Sequence, residues 1–337
     1  MPKKEDPNVI LVVGSNCFSG AHFVNQCLKN SDYEVMGISR SREYKPAYLP
    51  YRWKEYTQDR FSFYQYDLNQ DLDEIVGLIA SSKPEYIVNF AAQGMVAQSW
   101  ENPKHWLQTN TLGHILLHDR IKHFDFIKKY VHVSTPEVYG NTSNEIDESA
   151  PINPSTPYAV SKAACDLSLK CFYERYNFPV VFTRAANVYG PAQQLYRIIP
   201  RTIIGVLTNN KLNLDGGGHS IRAFLHIKDA CEATFQIMEK ANPPEIYHLT
   251  NRDFYSIRQI VEIILDEMGE DFDNHVEISN ERPGKDMAYT LKPDKIEQEL
   301  GWSAKTSLRD GIKETIAWVK QHFDFLKNEH LSYRHKP

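Results

Sequence analysis

Short apolar runs alternate along the chain with longer stretches in which apolar residues recur every three or four positions. The runs lie at residues 9–13, 34–38, 61–66, 86–90, 130–134 and 180–184, and are rich in Val, Ile, Phe and Tyr. Such runs fit strands buried on both faces, the environment of a parallel sheet covered by helices. The stretches between them, near 18–30, 71–81, 103–124 and 157–176, carry the helical period. The alternation predicts an α/β fold, a doubly wound parallel sheet whose ligands lie beyond the carboxyl ends of the strands. After residue 185 the texture changes to short mixed segments, with turns at Gly216-Gly217-Gly218 and Arg282-Pro283-Gly284 and amphipathic helices near 228–240 and 256–268. No Pro/Ser-rich connector intervenes, so a smaller α/β lobe that shares its chain with the sheet domain is expected. The pattern assigns 1–185 to the sheet domain, with returning segments near 225–250 and 308–323. It assigns 186–224 and 251–307 to the second lobe, and 324–337 to a polar, loosely held tail.

Composition narrows the classes of function. Charged residues make up 24% of the 337 and the formal net charge is −5, without a long basic block, so neither nucleic acid nor an anionic membrane surface is indicated. The five cysteines show no paired metal-ligand spacing, and an odd number in a chain of this size suits a reducing compartment. A cytoplasmic protein without a metal is expected. The apolar run at 9–13 is too short for a secretion signal or a membrane span.

The first strand leads into Gly14-Ser15-Asn16-Cys17-Phe18-Ser19-Gly20, which opens a helix. In that context a glycine-rich turn presents backbone N–H groups and a helix N-terminus to a pyrophosphate, as in Rossmann domains. Cys17 stands where the usual pattern has its middle glycine. The second strand ends in Gly37-Ile38-Ser39-Arg40-Ser41-Arg42. A carboxylate here would bind the ribose 2′-hydroxyl of NAD; none is present, and Ser39 with Arg40 and Arg42 suits the 2′-phosphate of NADP. NADP is therefore the expected cofactor, with NAD as the alternative. Asp67 and Leu68, ending the third strand, are placed to reach the adenine ring. Tyr158 and Lys162 stand four apart in a predicted helix and so share a face. An ammonium beside a phenol favours the phenolate, which can take a proton from a sugar or alcohol hydroxyl. The spacing alone is also that of an ordinary exposed pair.

Further motifs occur in order: Asn89-Phe90-Ala91-Ala92-Gln93, Ser134-Thr135-Pro136-Glu137-Val138-Tyr139-Gly140, Arg184-Ala185-Ala186-Asn187-Val188-Tyr189-Gly190-Pro191, Gly218-His219-Ser220-Ile221-Arg222 and Arg282-Pro283-Gly284-Lys285-Asp286. With the glycine turn and the Tyr158–Lys162 pair, the chain resembles the extended short-chain dehydrogenase/reductase superfamily, in its nucleotide-sugar 4,6-dehydratase and epimerase branch. The second half is most similar to dTDP-glucose 4,6-dehydratases, while Gly37-Ile38-Ser39-Arg40 is similar to the NADP-using GDP-mannose 4,6-dehydratases. The resemblance implies that Tyr158 accepts the proton of the sugar 4-hydroxyl as hydride leaves C4, that Lys162 lowers its pKa and binds the nicotinamide ribose, and that Thr135 hydrogen-bonds the same hydroxyl. It implies Glu137 as the base that removes the C5 proton. Cofactor contacts are implied for Gly14, Asn16, Cys17, Phe18, Gly20, Ala91, Ala92 and Asn110, and contacts to a nucleotide-diphosphate sugar for Gln93, Asn187, Arg197, Arg222 and Arg282. A homodimer joined by the helices near 103–124 and 157–176 as a four-helix bundle is implied as well.

One position departs from the family pattern. Dehydratases usually place an Asp, or in some relatives a Ser, directly before the Glu to protonate the departing C6 hydroxyl; here that residue is Pro136, which has neither a side-chain donor nor an N–H. Proline also favours an extended Thr135. Three chemistries remain open: a same-face elimination in which Glu137 carries the C5 proton to the leaving oxygen, giving a 4-keto-6-deoxy sugar or a 5,6-ene; epimerisation at C5 of a keto sugar; and a C4 epimerase or oxidoreductase. A non-catalytic NADP-sensing regulator is the alternative of another class, against which the Tyr158–Lys162 pair argues.

Overall fold

The computed structural model describes residues 8–53, 59–142, 144–280 and 290–336. A seven-stranded parallel sheet forms the larger part. Its strands are β1 (Val9–Val13), β2 (Glu34–Ser39), β3 (Phe61–Gln65), β4 (Tyr86–Asn89), β5 (Lys129–Val133), β6 (Val180–Ala185) and β7 (Ile246–Leu249), in the order β7-β6-β5-β4-β1-β2-β3. Six of these coincide with the apolar runs. The seventh, β7, pairs with β6 only after the chain has crossed the smaller lobe and returned.

Alternation along each strand sends side chains to opposite faces. Ile10, Val12, Val88, Val131 and Val181 pack beneath α1 (Phe18–Asn30) and α6 (Ile227–Lys240). Leu11, Val13, Ile87, Tyr130 and Val180 face α2 (Leu72–Ser82), α3 (His114–Ile121) and α4 (Pro157–Tyr176). Burying both faces is what makes these strands read as unbroken apolar runs.

The smaller lobe is built on α5 (Ile198–Leu207) and α7 (Ile257–Met268), with short strands Asn187–Tyr189, Ile221–His226 and Phe254–Ser256 pairing beside them. Helix α8 (Leu308–Gln321) departs only in part from the expected return to the sheet domain: its Trp318 Nε1 donates to Ala47 O there at 3.0 Å, while its apolar face packs on the smaller lobe. Its Ile312, Ile316 and Val319 pack with Ile199, Ile203, Ile260 and Ile264 of this lobe, because that is where a complementary apolar face is exposed. The helix expected at 103–124 also differs. It begins with Pro103–Leu107, passes through a π-helical turn at Gln108–Gly113 and continues as α3. Such a turn inserts an extra residue and re-aims the side chains it carries, a feature often found at functional sites.

The strand order reverses between β1 and β4, and the crevice at that switch point is where open α/β sheets bind ligands. Phe90 N–H donates to Val13 O at 2.8 Å, so the turn after β1 and the loop after β4 meet there.

Candidate active site

Close packing explains the glycines of the first turn. A Cβ on Gly14 would lie 2.6 Å from Ala91 N, and one on Gly20 would lie 2.2 Å from Gly14 O. Gly14 also adopts φ 86°, a left-handed value that favours glycine. Cys17 needs no such freedom. It has φ −74° and ψ 163°, an ordinary extended conformation for an N-cap, and its Sγ accepts from Gly20 N–H at 3.2 Å. Burial pushes the thiol up to about 11, so it stays neutral beside a turn suited to a dianionic pyrophosphate. The substitution therefore keeps the fit to a dinucleotide, since the helix N-terminus, tight turn and close strand approach are all present.

Two further devices hold the turn. Asn16 N–H donates to Ser39 Oγ at 2.9 Å, and Asn16 Nδ2 donates to the carbonyls of Ser41 and Arg42 at 3.0 and 2.6 Å. Ser39 and Asn16 thus join the loops after β1 and β2. Gly14, Asn16, Cys17, Ser39, Arg40, Asp67, Leu68, Ala91, Ala92 and Gln93 line one continuous cleft. Phe18 packs with the sheet core and Arg42 is exposed, so neither belongs to that lining. Asn110 stands behind the wall, fully buried in the π-helical turn: its Oδ1 accepts from Gln93 N–H at 2.8 Å, while its Nδ2 donates to Gln93 O and to Ser161 Oγ, both at 3.0 Å. These bonds fix the loop after β4 against α4.

At the end of β5, Lys162 Nζ, 1% exposed, donates to Val133 O at 2.9 Å and to His132 Nε2 at 3.3 Å. Burial lowers the ammonium's pKa, while Cys165 and Asp166 raise it. His132 is held neutral, first by burial and then by Lys162, and so can accept. Asp166, one helical turn beyond Lys162, accepts from Ser134 Oγ and from Arg184, each at 2.8 Å, in a fully buried ion pair. The Arg184 guanidinium lies 4.6 Å from the centre of the Tyr139 ring, and Tyr139 Oη shares a 2.8 Å hydrogen bond with His248 Nε2. Lysine and strand end are thus locked in register by a polar network that the sequence reading did not single out.

Thr135 is extended, at φ −150° and ψ 146°, as a residue before proline should be. It caps the 3₁₀ turn Pro136–Tyr139, accepting from Glu137 N–H at 3.3 Å, which leaves its own hydroxyl proton to donate. Helix α4 begins at its cap Thr156, and Tyr158 N–H donates to Ser99 Oγ at 3.1 Å. Strand end and turn thus place Thr135 and Glu137 just beyond the Val133 carbonyl that Lys162 holds, and Tyr158 lies one turn before Lys162 on the same helix.

The three chemistries left open by the sequence can share this scaffold, so relatives decide the family. A family model described as GDP-mannose 4,6 dehydratase matches residues 11–315. The chain belongs to that family. A human dTDP-D-glucose 4,6-dehydratase is 36% identical over 258 residues, 74% of this chain and 73% of the human one. A dTDP-glucose 4,6-dehydratase from Streptomyces venezuelae, solved with NAD bound, has a TM-score of 0.87 at 30% identity, covering 94% of this chain and 98% of that one. A UDP-glucose 4-epimerase from Thermotoga maritima, solved with UDP-glucose, has a TM-score of 0.84 at 25% identity, covering 94% and 99%.

Within this dehydratase-family fold the expected substrate residues spread across the second lobe. Asn187 opens the short strand that follows β6 and pairs with Ile221–His226, Arg222 lies on that partner strand, and exposed Arg197 stands at the N-cap of α5 with its guanidinium 5.6 Å from the Tyr196 ring centre. Arg282 lies outside the described residues. Tyr189 is a packing residue, 1% exposed and edge-on to Phe224 and His226. The tail is not loosely held. Leu331 packs on the α8 cluster, and residues 333–336 reach back to the cleft. Its rings were the available signal: Tyr333 and His335 are polar by composition yet find aromatic partners. Among the described residues no helix is long and apolar enough to cross a membrane, and no cluster of metal-ligating side chains occurs.

Proposed function

We propose that this protein is a nucleotide-sugar 4,6-dehydratase acting on a UDP- or dTDP-hexose. The supporting observation is the junction of α4 with the end of β5: Lys162 bonded to Val133 O, followed at once by the turn that carries Thr135 and Glu137. A nicotinamide dinucleotide held in the cleft lined by Gly14, Asn16, Cys17, Arg40 and Gln93 would supply a hydride acceptor for C4 of the sugar and a hydride donor for C6. Tyr158, its phenolate favoured by the Lys162 ammonium, takes the 4-hydroxyl proton, and Thr135 donates a hydrogen bond to the same oxygen. The resulting ketone makes the C5 hydrogen acidic. Glu137 removes that proton as the electron pair forms the C5–C6 double bond and the C6–O bond breaks. Pro136 offers no acid, so Glu137 hands the same proton to the departing oxygen, which leaves as water. C5 is finally protonated from solvent as Tyr158 releases the proton it holds. Pro136 also favours a second reading, C5 epimerisation of a keto sugar, in which no water leaves.

Arg40 on the cleft wall and the absence of a carboxylate from residues 37–42 support NADP, although solved relatives hold NAD. Glu43, the next acidic residue, is engaged by Tyr51 and Arg52 at 2.8 and 2.9 Å. Comparing NADP and NAD affinities tests this assignment. Exposed Leu107, Leu112, Leu116, Val160 and Leu167, on the Pro103–Ile121 segment and α4, support a homodimer through a four-helix bundle. The five free thiols support a cytoplasmic location. Incubating the protein with UDP-, dTDP-, GDP- and CDP-hexoses and weighing the products tests the central assignment. A keto sugar lighter by one water is expected from one or two of them, whereas an unchanged mass throughout, with the sugar isomerised, would identify an epimerase.

A further inference from the structure

The segment 331–336 crosses from the small lobe to the dinucleotide cleft and ends inside it. Tyr333 stands edge-on to Tyr196, ring centres 5.4 Å apart. His335 stacks on Trp106 at 5.0 Å and shares a 2.7 Å hydrogen bond with His105. Lys336 O then accepts from Gln93 Nε2 at 2.8 Å and from Arg40 Nη2 at 3.1 Å. Arg40 directly follows β2 and Gln93 follows β4, so a single carbonyl spans the cleft from the β2 wall to the β4 wall. Lys336 itself forms part of the lining, and the cavity that remains is about 190 Å³. Small-ligand pockets run from roughly 300 to 1,000 Å³, and a dinucleotide belongs toward the upper end.

We propose that residues 331–336 form a strap that occupies the dinucleotide cleft and must swing out before the cofactor enters, so that the chain's own tail gates cofactor loading. The inference rests on reading this cleft as the dinucleotide site. Strap and dinucleotide are mutually exclusive because both need the space between Arg40 and Gln93. The anchors are the ring contacts of Tyr333 and His335, the His105–His335 hydrogen bond and the Lys336 carbonyl. A protein whose binding-competent form is a minor fraction shows a dissociation constant raised by the inverse of that fraction.

The test compares the full chain with a variant ending at Leu331, which keeps the α8 packing, and with the double variant Tyr333→Ala/His335→Ala. Each is freed of nucleotide and mixed with NADP and, separately, with NAD, and binding is followed by stopped-flow fluorescence. If the strap closes the cleft nine times in ten, both variants should load about tenfold faster and bind about tenfold tighter, a change of about 1.4 kcal/mol, with dissociation unchanged. In the full chain, dinucleotide should speed hydrogen exchange at amides 332–336. Equal loading rates, or faster dissociation from the variants together with protection of these amides, would overturn the strap. Failure of all three proteins to bind either dinucleotide would overturn the cleft assignment and the strap with it.

Discussion

The base assigned to Tyr158 depends on one oxygen, so Tyr158→Phe should lower kcat by about 10²–10⁴ while dinucleotide affinity stays within about twofold. Fluorescence titration and product assay measure the two separately, and an active Phe variant would remove the phenol from the mechanism. Glu137→Gln should leave C4 oxidation intact and stop the reaction before water is lost. A rapid-mixing experiment should show reduced nicotinamide accumulating without keto-deoxy product; full turnover would contradict the role of Glu137. At this scale the sequence was legible wherever chemistry dictates residue type, as with the phenol, the ammonium and the carboxylate beside Pro136. It was less legible where a residue serves through its backbone or its packing. Ser39 reads as a phosphate ligand, and its Oγ also accepts from Asn16 N–H, a bond that ties two loops together and leaves the hydroxyl proton to donate. Asn110 reads as a cofactor contact, and its amide also bonds the Gln93 backbone and Ser161, a bracing role that composition does not show.

Elements carry the next level of the argument, because α4 and β5 are held in register by a buried charge pair. Asp166→Ala would leave Arg184, 1% exposed, without its counter-charge, at a cost of about 3–5 kcal/mol. Urea unfolding should show the midpoint fall accordingly, and an unchanged midpoint would mean that the network adds nothing to the packing around it. At the other wall, Gly20→Ala places a methyl 2.2 Å from Gly14 O, so the turn must move and dinucleotide affinity should fall by about tenfold or more. The strands were legible because burial on both faces leaves an apolar run. Ile246–Leu249 escaped because its four residues follow a crossing from the other lobe. The π-helical turn left no trace because its change of hydrogen-bond register has no compositional signature. The network was hidden by distance along the chain, His132, Asp166 and Arg184 coming from three different elements.

For the whole molecule, buried histidines couple folding to pH. Burial lowers His22, His114 and His248 to about 3 and His226 to about 4, from an ordinary 6.5. The unfolded chain therefore binds more protons below pH 6.5. The stability these residues contribute is fully present above that pH and is lost as pH falls through the window from 6.5 to about 3–4. At pH 5.5 each costs about 1.4 kcal/mol, so the urea midpoint should drop markedly between pH 7.5 and 5.5; a flat profile would contradict neutral, buried imidazoles. The most direct test of the proposed dehydration uses a nucleotide hexose carrying deuterium at C4, converted by the intact enzyme and analysed by mass spectrometry and NMR. Loss of one water with the deuterium recovered at C6 is predicted. Deuterium retained at C4 with no water lost would contradict the dehydratase assignment.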